Sequence, residues 1–297
     1  MTMRRSPSRC GRIVAVLIVL SVPVLSTGAA PAKINVVAAE NFYGSIVQQI
    51  GAEKVQVTSI LSDPNVDPHV YESSFDDAKA LSAADLVIEN GGGYDDWMDK
   101  LLSASMGAKR LLLKAYNIAP TRLPDNEHVW YDVDNVQALA AAIRDNLTKL
   151  DAADAPFFTT NLQVFRQSLE RIRQKIAQLK ARWNGAPVGL TETIFLYQAG
   201  PIGLLVLTPF EFQKAIAEGN DPPADTVVAA EKQVKEKKIK ALIYNEQTVS
   251  PITSNLQADA IAAGIPVVPV TETMPSAMNY QNWMLSQLTR LEMALGK

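Results

Sequence analysis

The sequence is poor in the residues that most often carry chemistry. Of 297 residues, one is cysteine and two are histidine. A single cysteine excludes an internal disulfide framework and any multi-cysteine zinc or iron–sulfur site. Two histidines exclude a three-histidine metal site, so a metal-based function would need carboxylates as its other ligands. No apolar run is long enough for a stable membrane span; that at 13–25 falls short of the ~20 residues required. No internal repeat or low-complexity tract stands out. What is present is ordinary globular composition, 47% hydrophobic and 20% charged with mean hydropathy +0.02. That is too apolar for a disordered chain. At about 150 residues per domain the length allows two domains.

Residues 1–32 have the pattern of a secretory signal peptide. Arg4, Arg5, Arg9 and Arg12 precede the apolar run, and small residues follow it. Ala30-Pro31-Ala32 is the best cleavage site, with cutting after Ala29 the alternative; an uncleaved anchor is the other reading of the segment. Cys10 lies ahead of the apolar run, not after it, which is the wrong place for a lipidated cysteine. The expectation is a soluble exported product, periplasmic or secreted, that has lost its only thiol. Removing the four leader arginines moves the formal net charge from −3 to −7. A net-acidic exported protein is a poor candidate for nucleic-acid binding.

Short apolar runs alternate with amphipathic stretches in the remaining chain, which argues for an α/β fold. Strands are expected at 34–38, 55–61 and 86–89, then at 188–191, 204–206, 240–244 and 266–270. Helices are expected at 43–51, 76–83, 94–106 and 136–150, then at 209–218, 225–237, 252–263 and 280–295. Between these two sets lies the strongest periodicity in the chain. Phe158, Leu162, Phe165, Leu169, Ile172, Ile176, Leu179 and Trp183 alternate at spacings of four and three. This is one face of a long helix, with Pro156 in its first turn, Asp154 as its cap, and Gly185 and Pro187 at its end. From 156 to 183 it would run about 42 Å. The predicted organisation is a leader at 1–32, an N-terminal α/β lobe at 33–150, a connecting helix at 151–185 and a C-terminal α/β lobe at 186–297.

The two histidines sit in distinctive surroundings. His69 follows Asp67-Pro68, and His128 sits in Asn126-Glu127-His128-Val129-Trp130-Tyr131-Asp132. A lone histidine is more often a surface or hydrogen-bonded core residue than a ligand. Glu192 and Glu272 each end a predicted strand and are each flanked by threonines. Strand carboxyl ends are where open α/β sheets bind ligands, although such a carboxylate can also simply stabilise a helix start. Asp67, Glu72 and Asp132 are candidate acceptors that orient the histidines. Glu246 is a candidate outer-shell or capping group. Gly91-Gly92-Gly93 lacks the following Lys-Ser/Thr of a phosphate loop and reads as a turn before a helix.

Taken together these segments resemble the metal-binding substrate-binding proteins of bacterial ABC importers, the group serving zinc, manganese and iron. Asp-Pro-His-Val-Tyr-Glu at 67–72 is similar to that family's first ligand motif. Residues 126–132 resemble its second, with Glu127 where proline is common. Leu-Thr-Glu-Thr-Ile-Phe at 190–195 and Val-Thr-Glu-Thr-Met-Pro at 270–275 resemble the third and fourth, with Glu272 where aspartate is usual. The segment 90–97 also resembles a family segment. The resemblance implies two Rossmann-like lobes joined by a single rigid helix. It implies one divalent ion (Mn2+, Zn2+ or Fe2+) held by His69, His128, Glu192 and Glu272, as transported ligand rather than cofactor. It implies delivery to an ABC transporter permease by a monomer with no enzymatic activity. A zinc-dependent hydrolase and a metal-stabilised adhesin are the alternatives.

Overall fold

In the computed structural model, the described residues are 1–4, 32–63, 66, 71–105 and 110–297. The leader therefore falls almost wholly outside them, as do Asp67 and His69. Met1–Ala32 and Lys33–Lys297 are separate units, and the second carries the fold.

The second unit contains two parallel-sheet α/β domains. The first alternates β1 (Ile34–Glu40), α1 (Asn41–Gly51), β2 (Val55–Leu61), α2 (Phe75–Ser82), β3 (Leu86–Glu89), α3 (Asp96–Ala104), β4 (Leu111–Lys114), α4 (Ala115–Ile118) and α5 (Val133–Leu150). After α6 (Ala155–Trp183), the second has β5 (Pro187–Leu190), α7 (Leu196–Ile202), β6 (Leu205–Val206), α8 (Phe210–Ala217), α9 (Ala224–Lys235), β7 (Leu242–Asn245), α10 (Pro251–Ala262), β8 (Val267–Val270) and α11 (Tyr280–Leu295). The sheet orders are β2-β1-β3-β4 and β6-β5-β7-β8, with every pairing parallel. Each order reverses beside its first strand, at β1/β3 and at β5/β7. Ligand crevices of open α/β sheets form at such switch points.

The expected strands and helices are present, with ends displaced by a few residues. Three helices or strands were not expected, the single-turn α4 among them. β4 is three leucines and a lysine at the sheet edge, too short to show a period. α7 contains Gly200 and Pro201, which read as breakers in sequence yet fit inside its short length. The glycines at 91–93 do form a turn before α3; all three have positive φ, at +72°, +71° and +94°, which only glycine adopts freely.

Helix α6 follows the predicted stripe. Phe158, Leu162, Phe165, Leu169, Ile172 and Leu179 are buried, while Ile176 and Trp183 are partly covered. It packs on α1 and α5 of the first domain and on α7 and α11 of the second. One continuous apolar cluster runs from β1 through α6 to α11, so the two domains share a core. The expected Asp154 cap is corrected. Asp154 stands at the N-cap position but makes no side-chain cap bond. Its carboxylate is instead paired with Lys54 of the first domain at 2.6 Å, and that cation holds its pKa below the usual range.

Candidate metal centre

Each group at the centre is placed by the carboxyl end of a strand or by the turn before a helix. Glu192 follows β5 and Glu272 follows β8, while His128 immediately precedes the short 3-10 turn Val129–Tyr131. These are distant in sequence and belong to different domains. The fold brings one ligand-type atom from each of the three within 4.8 Å of the others. All three side chains are buried. His69, the fourth sequence candidate, lies outside the described residues.

The geometry settles which nitrogen of His128 carries its proton. Asn126 Oδ1 lies 2.9 Å from His128 Nδ1 and also accepts the His128 backbone N–H at 3.1 Å. Asn126 Nδ2 donates across to the Thr193 carbonyl at 2.8 Å. Asn126 therefore presents oxygen to the ring, Nδ1 is the protonated nitrogen, and Nε2 carries the lone pair that a metal needs. This corrects the expectation for Asp132. Its carboxylate accepts from the Asp134 and Asn135 N–H groups at 2.8 and 3.0 Å and caps α5. Glu72 is exposed, and none of the hydrogen bonds of the described residues joins it to His128. Tyr94 and Trp130 pack edge-on against the imidazole, with ring centroids 5.9 and 5.2 Å away.

The two glutamates are neighbours, and both are buried. Burial raises the Glu192 carboxyl well above its ordinary value, and the charge of Glu272 adds to it. Among the described residues no lysine or arginine pairs with Glu192. Burial also raises the Tyr94 phenol, with Glu272 and Glu40 contributing. Two buried carboxylates beside an imidazole lone pair form a mixed nitrogen–oxygen donor set, which suits first-row divalent ions.

Three neutral amides tie this centre together, and none carried a signal strong enough to read from sequence. Asn245 ends β7, between β5 and β8. Its Nδ2 lies 3.0 Å from Glu192 Oε1 and makes a short contact with Glu272 Oε1. Gln247 Oε1 accepts from the N–H groups of Glu272 and Thr273, at 2.6 and 3.0 Å. Its Nε2 donates to the Val66 carbonyl at 3.0 Å, three residues before His69. Asn41, at the start of α1, exchanges two hydrogen bonds with the Met274 backbone, at 2.6 and 3.0 Å. Glu246, which sequence had singled out, points to solvent. The available signal was the position of Asn245 at a strand end, equivalent to those of Glu192 and Glu272.

The comparisons agree with this architecture. The chain resembles the periplasmic zinc-binding protein TroA from Treponema pallidum, with TM-score 0.76 at 19% identity over 89% of this chain and 99% of that one. It also resembles the substrate-binding protein FpvC from Pseudomonas aeruginosa, solved in complex with Mn2+, with TM-score 0.74 at 20% identity over 89% and 99%. Among curated relatives, the manganese-binding lipoprotein MntA of Halalkalibacterium halodurans is 28% identical over 151 residues, 48% of each chain. The manganese ABC transporter substrate-binding lipoprotein PsaA of Streptococcus pneumoniae is 28% identical over 162 residues, 49% of this chain and 51% of the relative. The chain thus spans about half the length of the curated relatives it matches. The family model for the periplasmic zinc-uptake complex component A, ZnuA, matches residues 36–294. That match covers both domains and the helix between them, and the chain belongs to the ZnuA family.

Proposed function

We propose that this protein captures one divalent transition-metal ion outside the cytoplasm and delivers it to the permease of an ABC importer. The observation that carries the reading is the convergence of His128, Glu192 and Glu272, from two domains, in one buried cluster. His69 is proposed as the fourth ligand, because Gln247 ties the Glu272 backbone to Val66 close to it in the chain. His128 Nε2 and the glutamate oxygens coordinate, Asn126 orients the imidazole, and the surrounding aromatic rings exclude water. The cargo is zinc, manganese or iron(II), and no covalent chemistry is involved. Metal analysis of protein purified without added metal, followed by Zn2+/Mn2+ competition, tests the reading. About one equivalent of bound metal is expected, and none under any condition would overturn it.

The division at 33–150, 151–185 and 186–297 belongs to the same proposal, as do a monomeric state and the lack of nucleic-acid binding. Sedimentation of the metal-loaded protein tests the monomer. A soluble rather than lipid-anchored product is proposed because Cys10 precedes the apolar run, whereas MntA and PsaA are named lipoproteins. Detergent-phase partitioning of the exported protein distinguishes the two; recovery in the detergent phase counts against solubility.

A further inference from the structure

Gln247 follows β7 in the second domain, yet its side chain also reaches the first. Every hydrogen-bonding position of its amide is used. Oε1 accepts the Glu272 and Thr273 N–H groups at 2.6 and 3.0 Å. Nε2 donates to Thr273 Oγ1 at 2.9 Å and to the Val66 carbonyl at 3.0 Å. Two backbone donors on one side and a backbone carbonyl on the other allow only one orientation of the amide. The Gln247 backbone N–H donates to Asn245 Oδ1 at 3.0 Å, which fixes where the residue leaves the strand end. Val66 belongs to the segment after β2 of the first domain. One amide therefore holds the Glu272 backbone and ties it across the cleft. Tyr131 makes a neighbouring tie to the Thr271 carbonyl, but it is fully buried in the shared core. Gln247 is half-buried and lines a cavity of about 460 Å3 with Asn220, Asp221, Thr248 and Val249. It has room to turn aside without disturbing the core.

We propose that Gln247 is a positioning residue that sets how fast a bound ion leaves; this rests on the metal-binding reading above. While its amide spans the cleft, the segment carrying Glu272 is held against the first domain. When the Val66 bond breaks and the side chain turns into the cavity, the Glu272 and Thr273 N–H groups lose their acceptor. That segment is then free to move away from His128. Release thus begins with the parting of one ligand-bearing segment, not with a wide opening of the domains. A single neutral hydrogen bond shifts such an equilibrium by about two- to tenfold.

The test uses the full-length protein and its Q247E and Q247A variants. A carboxylate at 247 still accepts from both N–H groups, and Thr273 Oγ1 can turn its own hydrogen toward it, so the Val66 contact alone is lost. The added negative charge would by itself slow the departure of a cation, so faster release runs against it. Zn2+ release into excess chelator is followed by stopped flow. Hydrogen exchange of the zinc-loaded proteins is read by NMR at the Glu272 and Thr273 amides and along β7. Q247E is expected to release Zn2+ about two- to tenfold faster than wild type, with both amides still protected. Q247A is expected to release it at least as fast, with that protection lost. Release from Q247E no faster than from wild type would overturn the proposal. So would faster release accompanied by faster exchange throughout β7, which marks a merely structural residue. Failure of the wild type to bind Zn2+ or Mn2+ would instead overturn the metal-binding reading itself.

Discussion

Asn126 illustrates what a single side chain contributes at the residue scale. It accepts from His128, donates to Thr193 and so links the imidazole to the segment that carries Glu192. N126A is expected to lower metal affinity about 10–100-fold, the usual effect of removing an outer partner of a ligand. Glu192→Ala and Glu272→Ala should each weaken binding at least about tenfold, read by the same chelator competition. Normal binding by both variants would remove the second domain from the site. Protons compete for the histidines, so affinity should fall as pH drops from about 7.5 to about 5. Glu40 concerns stability instead. Burial raises its carboxyl well above the usual range, and Asp95 and then Glu89 add to the shift. Asp95 already accepts from the Asn90 and Gly91 N–H groups, at 2.6 and 2.7 Å. The folded state therefore keeps a proton on Glu40 at pH values where the unfolded chain has lost it. The stabilisation is complete below the unfolded value near 4.5 and is lost as pH rises through the folded one. E40Q should flatten the fall in Tm between about pH 5 and 8 and raise Tm at the upper end, by about 2–4 °C per kcal/mol gained. Parallel curves for the two proteins would show that Glu40 is not the cause.

At the scale of the element, α6 has the most to explain. Its buried stripe meets both domains, and Lys54–Asp154 at its start and Lys175–Glu292 in its C-terminal third add ion pairs. The pairs are partly exposed, so most of the attachment must come from apolar burial. Leu169, fully buried near the middle, is the sharper probe. L169A should cost about 2–5 kcal/mol in denaturant unfolding, with one transition because the apolar cluster is shared. Two separated transitions would show that the domains unfold independently. The regularity of α6 made it the clearest element in the sequence. β4 and α7 were hidden there for opposite reasons. Three leucines and a lysine are too few to define a period, and the helix-breaking pair in α7 is tolerated because so few turns follow it.

For the whole molecule, the same strand order is built twice without a sequence repeat. The two crevices are then joined by hydrogen bonds aimed at backbone next to the proposed ligands. Asn126 reaches Thr193, Tyr131 reaches Thr271, Asn41 reaches Met274 and Gln247 reaches Val66. Opening the cleft widely would break these bonds and divide a continuous core. Metal-free and metal-loaded crystals should therefore differ by a small rotation between domains. A hinge opening of tens of degrees would contradict this.

Read by itself, the sequence determined the fold class, the long helix and the residue types available for a metal. Periodicity and scarcity are local properties, and two histidines leave few places to look. The kinship of the four proposed ligand segments was also legible, because they resemble known motifs. Only the tertiary structure decided that His128 meets Glu192 and Glu272, that Asn126 rather than Asp132 orients the imidazole, and that Asn245 lies between the two glutamates. The physical reason is that a neutral amide has no charge, period or spacing that marks it in a chain. Its role arises when folding brings a distant acceptor within about 3 Å of its N–H.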